Sequence, residues 1–197
     1  KEVELNGASL VNLDERSHGR TLEIQTLNGP REVMVVEPEW DYLISLVPPK
    51  THYLFPAVIG IPNLLGMVRP DQRHWVFGTS AGELRRLQHG PGDRADRLLH
   101  LASQNLAGLL KLCPINLSIV DGLYGMEGKG PVKGSPVFHG FCAASEDPVQ
   151  VDALSAYLMG VEPRDMGYLQ EAQNLGLGQM GWQRVLGAEP SVVRFPY

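Results

Sequence analysis

Apolar positions cluster most tightly at Ile115–Val120 and again at Val137–Ala144. Short apolar runs bounded by turn residues predict strands. Asp41–Val47 predicts another, stopped by Pro48 and Pro49. Upstream, residues 8–13, 20–27 and 32–37 read as short strands, and Leu27-Asn28-Gly29-Pro30 predicts a hairpin between the last two. After Gly90-Pro91-Gly92 the period changes. Leu98, Leu99, Ala102, Leu106, Leu109 and Leu110 recur at helical spacing, and Asp93 is placed to cap a helix over 93–112. Asp147-Pro148 predicts the start of a helix over 148–159, stopped by Gly160. A third helix is predicted over 163–175, ending at Gly176-Leu177-Gly178. Pro56, Gly60, Pro62, Gly66 and Pro70 make 53–92 an irregular segment, read as a lid over the site or, alternatively, as disordered. The last residues predict a short strand and a tail.

These elements predict one α/β domain over residues 1–197: a three-layer sandwich with a mixed, mostly parallel, Rossmann-like sheet. Its strands are expected from 9–13, 41–47, 115–120 and 137–144, covered by the three helices. The strand at 8–13 has no helix before it. The expectation is a fragment of a longer protein, or a sheet completed by another chain in a homo-oligomer.

Composition narrows the partners. The chain has 197 residues, 43% hydrophobic and 20% charged, with a net charge of −5. That balance argues against a chain-wide nucleic-acid footprint. The apolar runs are shorter than a membrane span, and Lys1-Glu2-Val3-Glu4-Leu5 is no signal peptide. A cytoplasmic location with no membrane partner is expected. The 2 cysteines, Cys113 and Cys142, are read as buried free thiols, too few for a zinc or iron–sulfur cluster by themselves.

Candidate chemistry concentrates at predicted strand ends. Residues 121–136 are rich in glycine and hold Asp121, Glu127, Lys129 and Lys133. A glycine-rich loop exposes backbone N–H groups and admits close approach. Gly128, Lys129, Gly130 and Lys133 would hold an anion; Asp121 and Glu127 would bind a cation, or Glu127 would act as an acid or base. The alternative is a turn-capping Asp121 and a solvated Glu127. The spacing of the glycines matches neither a phosphate loop nor the dinucleotide fingerprint. Lys50 and His52 follow a strand, and an extended backbone points them to one side. A lysine can hold an anion and a histidine can ligate a metal or move a proton; the alternative is a solvated loop. His74, beside Arg73 and Trp75, could reach an anion. Asp152 falls inside a helix, where propensity gives it no reason to be, and is expected to face a polar pocket. His139, in an apolar strand, reads as a core residue.

The stretch Ser118 to Pro136, then Ala144-Ser145-Glu146-Asp147-Pro148 through Asp152, and Met159-Gly160, resembles the domain-of-unknown-function family 362. Asp41 through His52, Asn63-Leu64-Leu65-Gly66, Tyr168-Leu169 and Gly176-Leu177-Gly178 extend the resemblance over about residues 9–187. It implies an α/β domain. Many members carry an added ferredoxin-like cysteine cluster; this chain has none, so that iron–sulfur property does not carry over, and a separate iron–sulfur protein is one partner the resemblance suggests. Members usually begin with an earlier segment containing a Lys-Pro-Asn motif. Pro62 stands before Asn63 where the family more often has lysine, and Gln150 replaces a small residue. A looser likeness to nickel-pincer lactate racemases implies that His52 and His74 face a bound cofactor or substrate. Three functions fit: a cofactor-dependent enzyme whose site gathers Lys50, His52, Asn63, His74, Asp121, Glu127, Lys129 and Asp152, with Lys50, His52 and Glu127 catalytic; a non-catalytic module that uses the same loop to hold a small anion or metal; or a partner domain of an iron–sulfur protein.

Overall fold

A computed structural model describes residues 7–16, 18–37, 39–87, 94–128, 130, 133–182 and 185–193. Gly29, with φ +102°, closes a hairpin of β1 (Gly19–Thr26) and β2 (Gly29–Val36), which forms a sheet by itself. Residues 8–12 form no strand; Leu13–Glu15 is a short 3-10 helix. Arg94 precedes α2 (Ala95–Leu112), so the helix begins two residues later than expected, and Asp93 lies outside the described residues. The helix turns Leu98, Ala102, Leu106 and Leu109 inward. Its buried Asn105 accepts the N–H of Gln25 at 2.8 Å and donates to the carbonyls of Gln25 and Val76, which ties helix to hairpin.

The second sheet has five strands: β3 (Ile44–Val47), β4 (Lys50–Thr51), β5 (Ala57–Val58), β6 (Leu117–Glu127) and β7 (Ser135–Ser145). β6 is its axis. β3 and β4 lie in succession along one flank of β6 and run parallel to it, with Leu46 opposite Ile119 and Lys50 opposite Met126. Pro48 and Pro49 break the two apart, since proline lacks the N–H a ladder needs. β7 lies antiparallel on the other flank, and β5 antiparallel beside β4. Three of the five strands therefore run in one direction, in a mixed sheet packed against helices. This is an α/β fold with the character of a Rossmann-like sandwich.

α3 (Pro148–Leu158) packs against β6 and β7. Asp147 caps it as its sequence predicts, accepting the N–H groups of Val149 and Gln150, with Pro148 in the first turn. A second carboxylate oxygen accepts Gln179 N–H at 2.9 Å. The other face of β3 is uncovered: Ile44 is 53% exposed and Leu46 62%. The helix predicted over 163–175 is a 3-10 turn, Pro163–Asp165, followed by α4 (Gly167–Asn174). The tail holds a short helical turn at Pro190–Val193 rather than a strand.

Two expectations need correction. The segment read as a lid is part of the body of the molecule. Over 53–87, Phe55, Ala57, Ile59, Ile61, Leu64, Met67, Val68 and Val76 are all buried, carried largely by 3-10 helices at Ile61–Met67 and Arg73–Phe77 and followed by α1 (Ala81–Leu87). Residues 88–92 lie outside the described ones. Second, Cys142 is exposed, because alternate residues of β7 face outward; only Cys113 is buried.

Candidate functional site

The glycine-rich stretch opens as a strand. Residues 121–127 belong to β6, and pairing with β7 takes up its backbone groups on that flank. Its glycines answer to packing. A Cβ on Gly122 would fall 2.5 Å from the Phe141 ring, and one on Gly125 would fall 2.7 Å from the His139 ring. The anion-cradling loop expected there is therefore, up to Glu127, half of a hairpin.

Asp121 and Glu127 do not form a pair. Six residues apart on one strand, they are separated by roughly 20 Å. Asp121 accepts the N–H of Leu123 at 3.1 Å, a local turn contact. Among the described residues no three His, Cys, Asp or Glu side chains come together as a metal site would require.

Other motifs do converge. Because Lys50 is in register with Met126, the Lys50-Thr51-His52 segment lies along the end of β6 that carries Glu127. Thr51 Oγ1 donates to the carbonyl of Gly128 at 3.2 Å. Gly130 is buried, and a Cβ there would collide with the Thr51 carbonyl. Glu127 and Lys133 are exposed, and Lys129 lies outside the described residues.

Lys50 and His52 line a cavity of about 480 Å³ together with Asn63. Three residues that the sequence reading gave no role also line it: Tyr53, Arg73 and Phe77. Tyr53 adjoins the Lys-Thr-His motif and was within reach of that reading; nothing local marks Phe77. The remaining wall is apolar: Leu46, Val47, Val58, Ile59 and Leu65, with Pro48, Pro62 and the Phe55 ring.

His52 is fixed by its own loop. Its Nδ1 accepts the backbone N–H groups of Leu54 (3.1 Å) and Phe55 (3.4 Å), so the neutral ring carries its proton on Nε2. The ring stacks on Tyr53, with centroids 4.3 Å apart, and lies nearly parallel to Phe77 at 5.6 Å. Burial among these rings pushes its pKa down to about 4. Arg73 is held by the carbonyls of Leu65, Val68 and Gly66 and paired with Asp14. Lys50 makes no ion pair among the described residues.

Asp152 stands behind the cavity wall. It is fully buried, and its carboxylate accepts the N–H groups of Gly60 (2.8 Å) and Ile61 (2.9 Å) and the hydroxyl of Tyr168 (3.3 Å). Burial raises its pKa to about 7, against the opposing pull of those hydrogen bonds. It faces backbone rather than an open pocket, and it fixes the turn that leads into Pro62 and Asn63. Asn63 in turn donates to Ser45 Oγ at 3.3 Å. His74 is not part of the cavity. It packs on Trp75 at 4.7 Å, and burial, then Arg31, holds its pKa below the usual value. His74 therefore does not line the cavity that His52 lines. His139 is buried beside Phe141, as expected of a core histidine.

A second cavity of about 450 Å³ runs between β7 and α3, past Trp182, and among the described residues no charged side chain lines it. Among the described residues no helix is long and apolar enough to cross a membrane.

The model of a family described as domain of unknown function, DUF362, matches residues 1–157. This chain belongs to the DUF362 family. The matched DUF362 region contains the whole cavity and Asp152, and ends before Tyr168. The chain is also similar to the thylakoid-associated protein sll1697 of Synechocystis sp. (strain ATCC 27184 / PCC 6803 / Kazusa), 26% identical over 137 residues. That match takes in 70% of this chain and 38% of the relative, so the chain spans well under two thirds of that protein's length. No solved structure matches.

Proposed function

We propose that this DUF362 domain binds a small anionic molecule in the cavity formed by Lys50, His52, Asn63 and the 3-10 segments behind them. The observation that carries the reading is the state of the two lining cations. Arg73 is neutralised by Asp14 and held by three carbonyls, while Lys50 has no carboxylate partner among the described residues. A cation in a largely apolar cavity favours an anion beside it. His52 Nε2–H and the Asn63 amide add neutral donors.

Binding is favoured over acid–base catalysis by the same geometry. A ring whose pKa lies near 4 stays neutral at pH 7, so His52 serves there as a fixed donor. Glu127, at the exposed end of β6, is not part of the cavity wall.

The test is a titration of 15N-labelled protein with sodium acetate and with sodium phosphate at constant ionic strength. Saturable shifts are expected at the amides of residues 50–55 and 61–65 with at least one anion. Lys50→Gln should abolish them while leaving the melting temperature within a degree or two. Failure of both anions to saturate these amides overturns the proposal.

A further inference from the structure

Resting on that reading, we infer that the ligand is an aromatic monocarboxylate: one negative charge on a flat, apolar ring. Three features of the cavity set these terms independently.

The first is charge. Among the described residues, Lys50, Arg73 and His52 are the basic residues of the wall, and no acidic residue lines it. Arg73 already has Asp14 as its counter-ion, and the neutral His52 adds no charge. Among the described residues the cavity therefore offers one uncompensated positive charge, that of Lys50. A monoanion balances it; the further charges of a phosphate ester or a diphosphate would enter an apolar cavity without partners.

The second is shape. Tyr53, His52 and Phe77 form a run of three stacked rings, with interplanar angles of 27° and 12° at its two junctions. Both outer members, Tyr53 and Phe77, line the cavity and are only partly buried. A planar ligand ring extends such a run in the offset-stacked geometry aromatic pairs prefer; a puckered aliphatic ring of the same size does not.

The third is wall chemistry. Leu46, Val47, Val58, Ile59 and Leu65 surround the polar groups. A ligand that was polar throughout would lose hydration against these side chains without recovering hydrogen bonds. A ring placed there and a carboxylate turned to Lys50, His52 Nε2–H and Asn63 satisfy both parts of the wall.

Acetate, cyclohexanecarboxylate, benzoate and pyrophosphate, titrated separately by calorimetry and by amide shifts, test the assignment. Benzoate is expected to bind at least tenfold tighter than acetate. It should also exceed cyclohexanecarboxylate by about 3- to 10-fold, the size of a stacking preference. Phe77→Leu should bring the ratio of benzoate to cyclohexanecarboxylate affinity down to about one. Tyr53→Leu gives the same comparison from the other end of the stack, should either variant fold poorly. Benzoate no tighter than cyclohexanecarboxylate, or pyrophosphate tighter than benzoate, overturns the aromatic assignment and leaves small-anion binding standing. Absence of binding by all four overturns both.

Discussion

The carboxylate of Asp152 accepts the backbone N–H of Gly60 at 2.8 Å, across 92 residues of sequence. It has the next N–H and the Tyr168 hydroxyl as well, and Gly60 has no side chain to stand in the way; a Cβ there would collide with Ser118 and lie 2.8 Å from Asp152. Burial raises its pKa from 3.8 to about 7. The folded state therefore holds the proton more tightly than the unfolded one. The stability this contributes is full below about pH 4 and falls as pH rises toward 7, by up to about 1.4 kcal/mol per unit. Asp152→Asn removes that dependence and sets an amide N–H against a backbone N–H. Its penalty should be about 1–3 kcal/mol at pH 5 and smaller at pH 7.5, measured by urea unfolding. A penalty that grows with pH would show that the ionised form is the stabilising one.

His52 gives the opposite slope. Its pKa falls from 6.5 to about 4 on folding, so its contribution is present above pH 6.5 and is lost as pH falls through 4. In an NMR titration the His52 ring should show a midpoint near 4 and, at pH 7, a proton on Nε2. A midpoint above 6 would contradict the buried, stacked placement.

The close approach of Gly122 to Phe141 should be visible as coupling. Gly122→Ala is expected to cost about 1–3 kcal/mol through overpacking. In a Phe141→Leu background the same change should cost at least about 1 kcal/mol less, since the ring it strikes is gone. Equal penalties in both backgrounds would be evidence against the contact.

Asp147→Ala removes the cap of α3 and the acceptor for Gln179 N–H together. A loss of about 1–2 kcal/mol in chemical denaturation is expected. Asp147→Ser should recover most of the capping part and none of the bond to Gln179.

The two thiols should differ in reactivity. Cys142 is exposed, whereas burial pushes the Cys113 thiol up from its ordinary pKa. Native protein should take up one equivalent of iodoacetamide and the Cys142→Ser variant none, read by mass spectrometry. Rapid labelling of Cys113 in native protein would contradict its burial.

Local signals in the sequence carried local results. Apolar runs located β3, β6 and β7, and the Asp147-Pro148 pair located the start of α3, because each depends on adjacent residues. The Lys50-Thr51-His52 motif was legible for the same reason. The glycines were misread because Gly122 and Gly125 are required by partners on β7 that sequence spacing does not reveal. Asp152 was legible as an anomaly in a helix, yet its acceptance of two backbone N–H groups 91 and 92 residues away was not. Phe77 and Arg73 carry no local sign of a place in the site, because only the path of residues 61–77 through the core brings them into one wall with His52. That path, in turn, was hidden by prolines and glycines that stop long helices but permit 3-10 turns.

The reliance of early residues on late ones has a consequence during synthesis. Lys50, His52 and Asn63 leave the ribosome well before β6 is made, and Gly60 waits 92 residues for Asp152. At ordinary elongation rates that interval is on the order of 5–20 s. Throughout it the N–H groups of Gly60 and Ile61 are without the carboxylate that accepts them in the folded chain. β3 and β4 likewise have no parallel partner until β6 follows, so a chain interrupted before β6 carries Lys50 and His52 without the strand that sets their register.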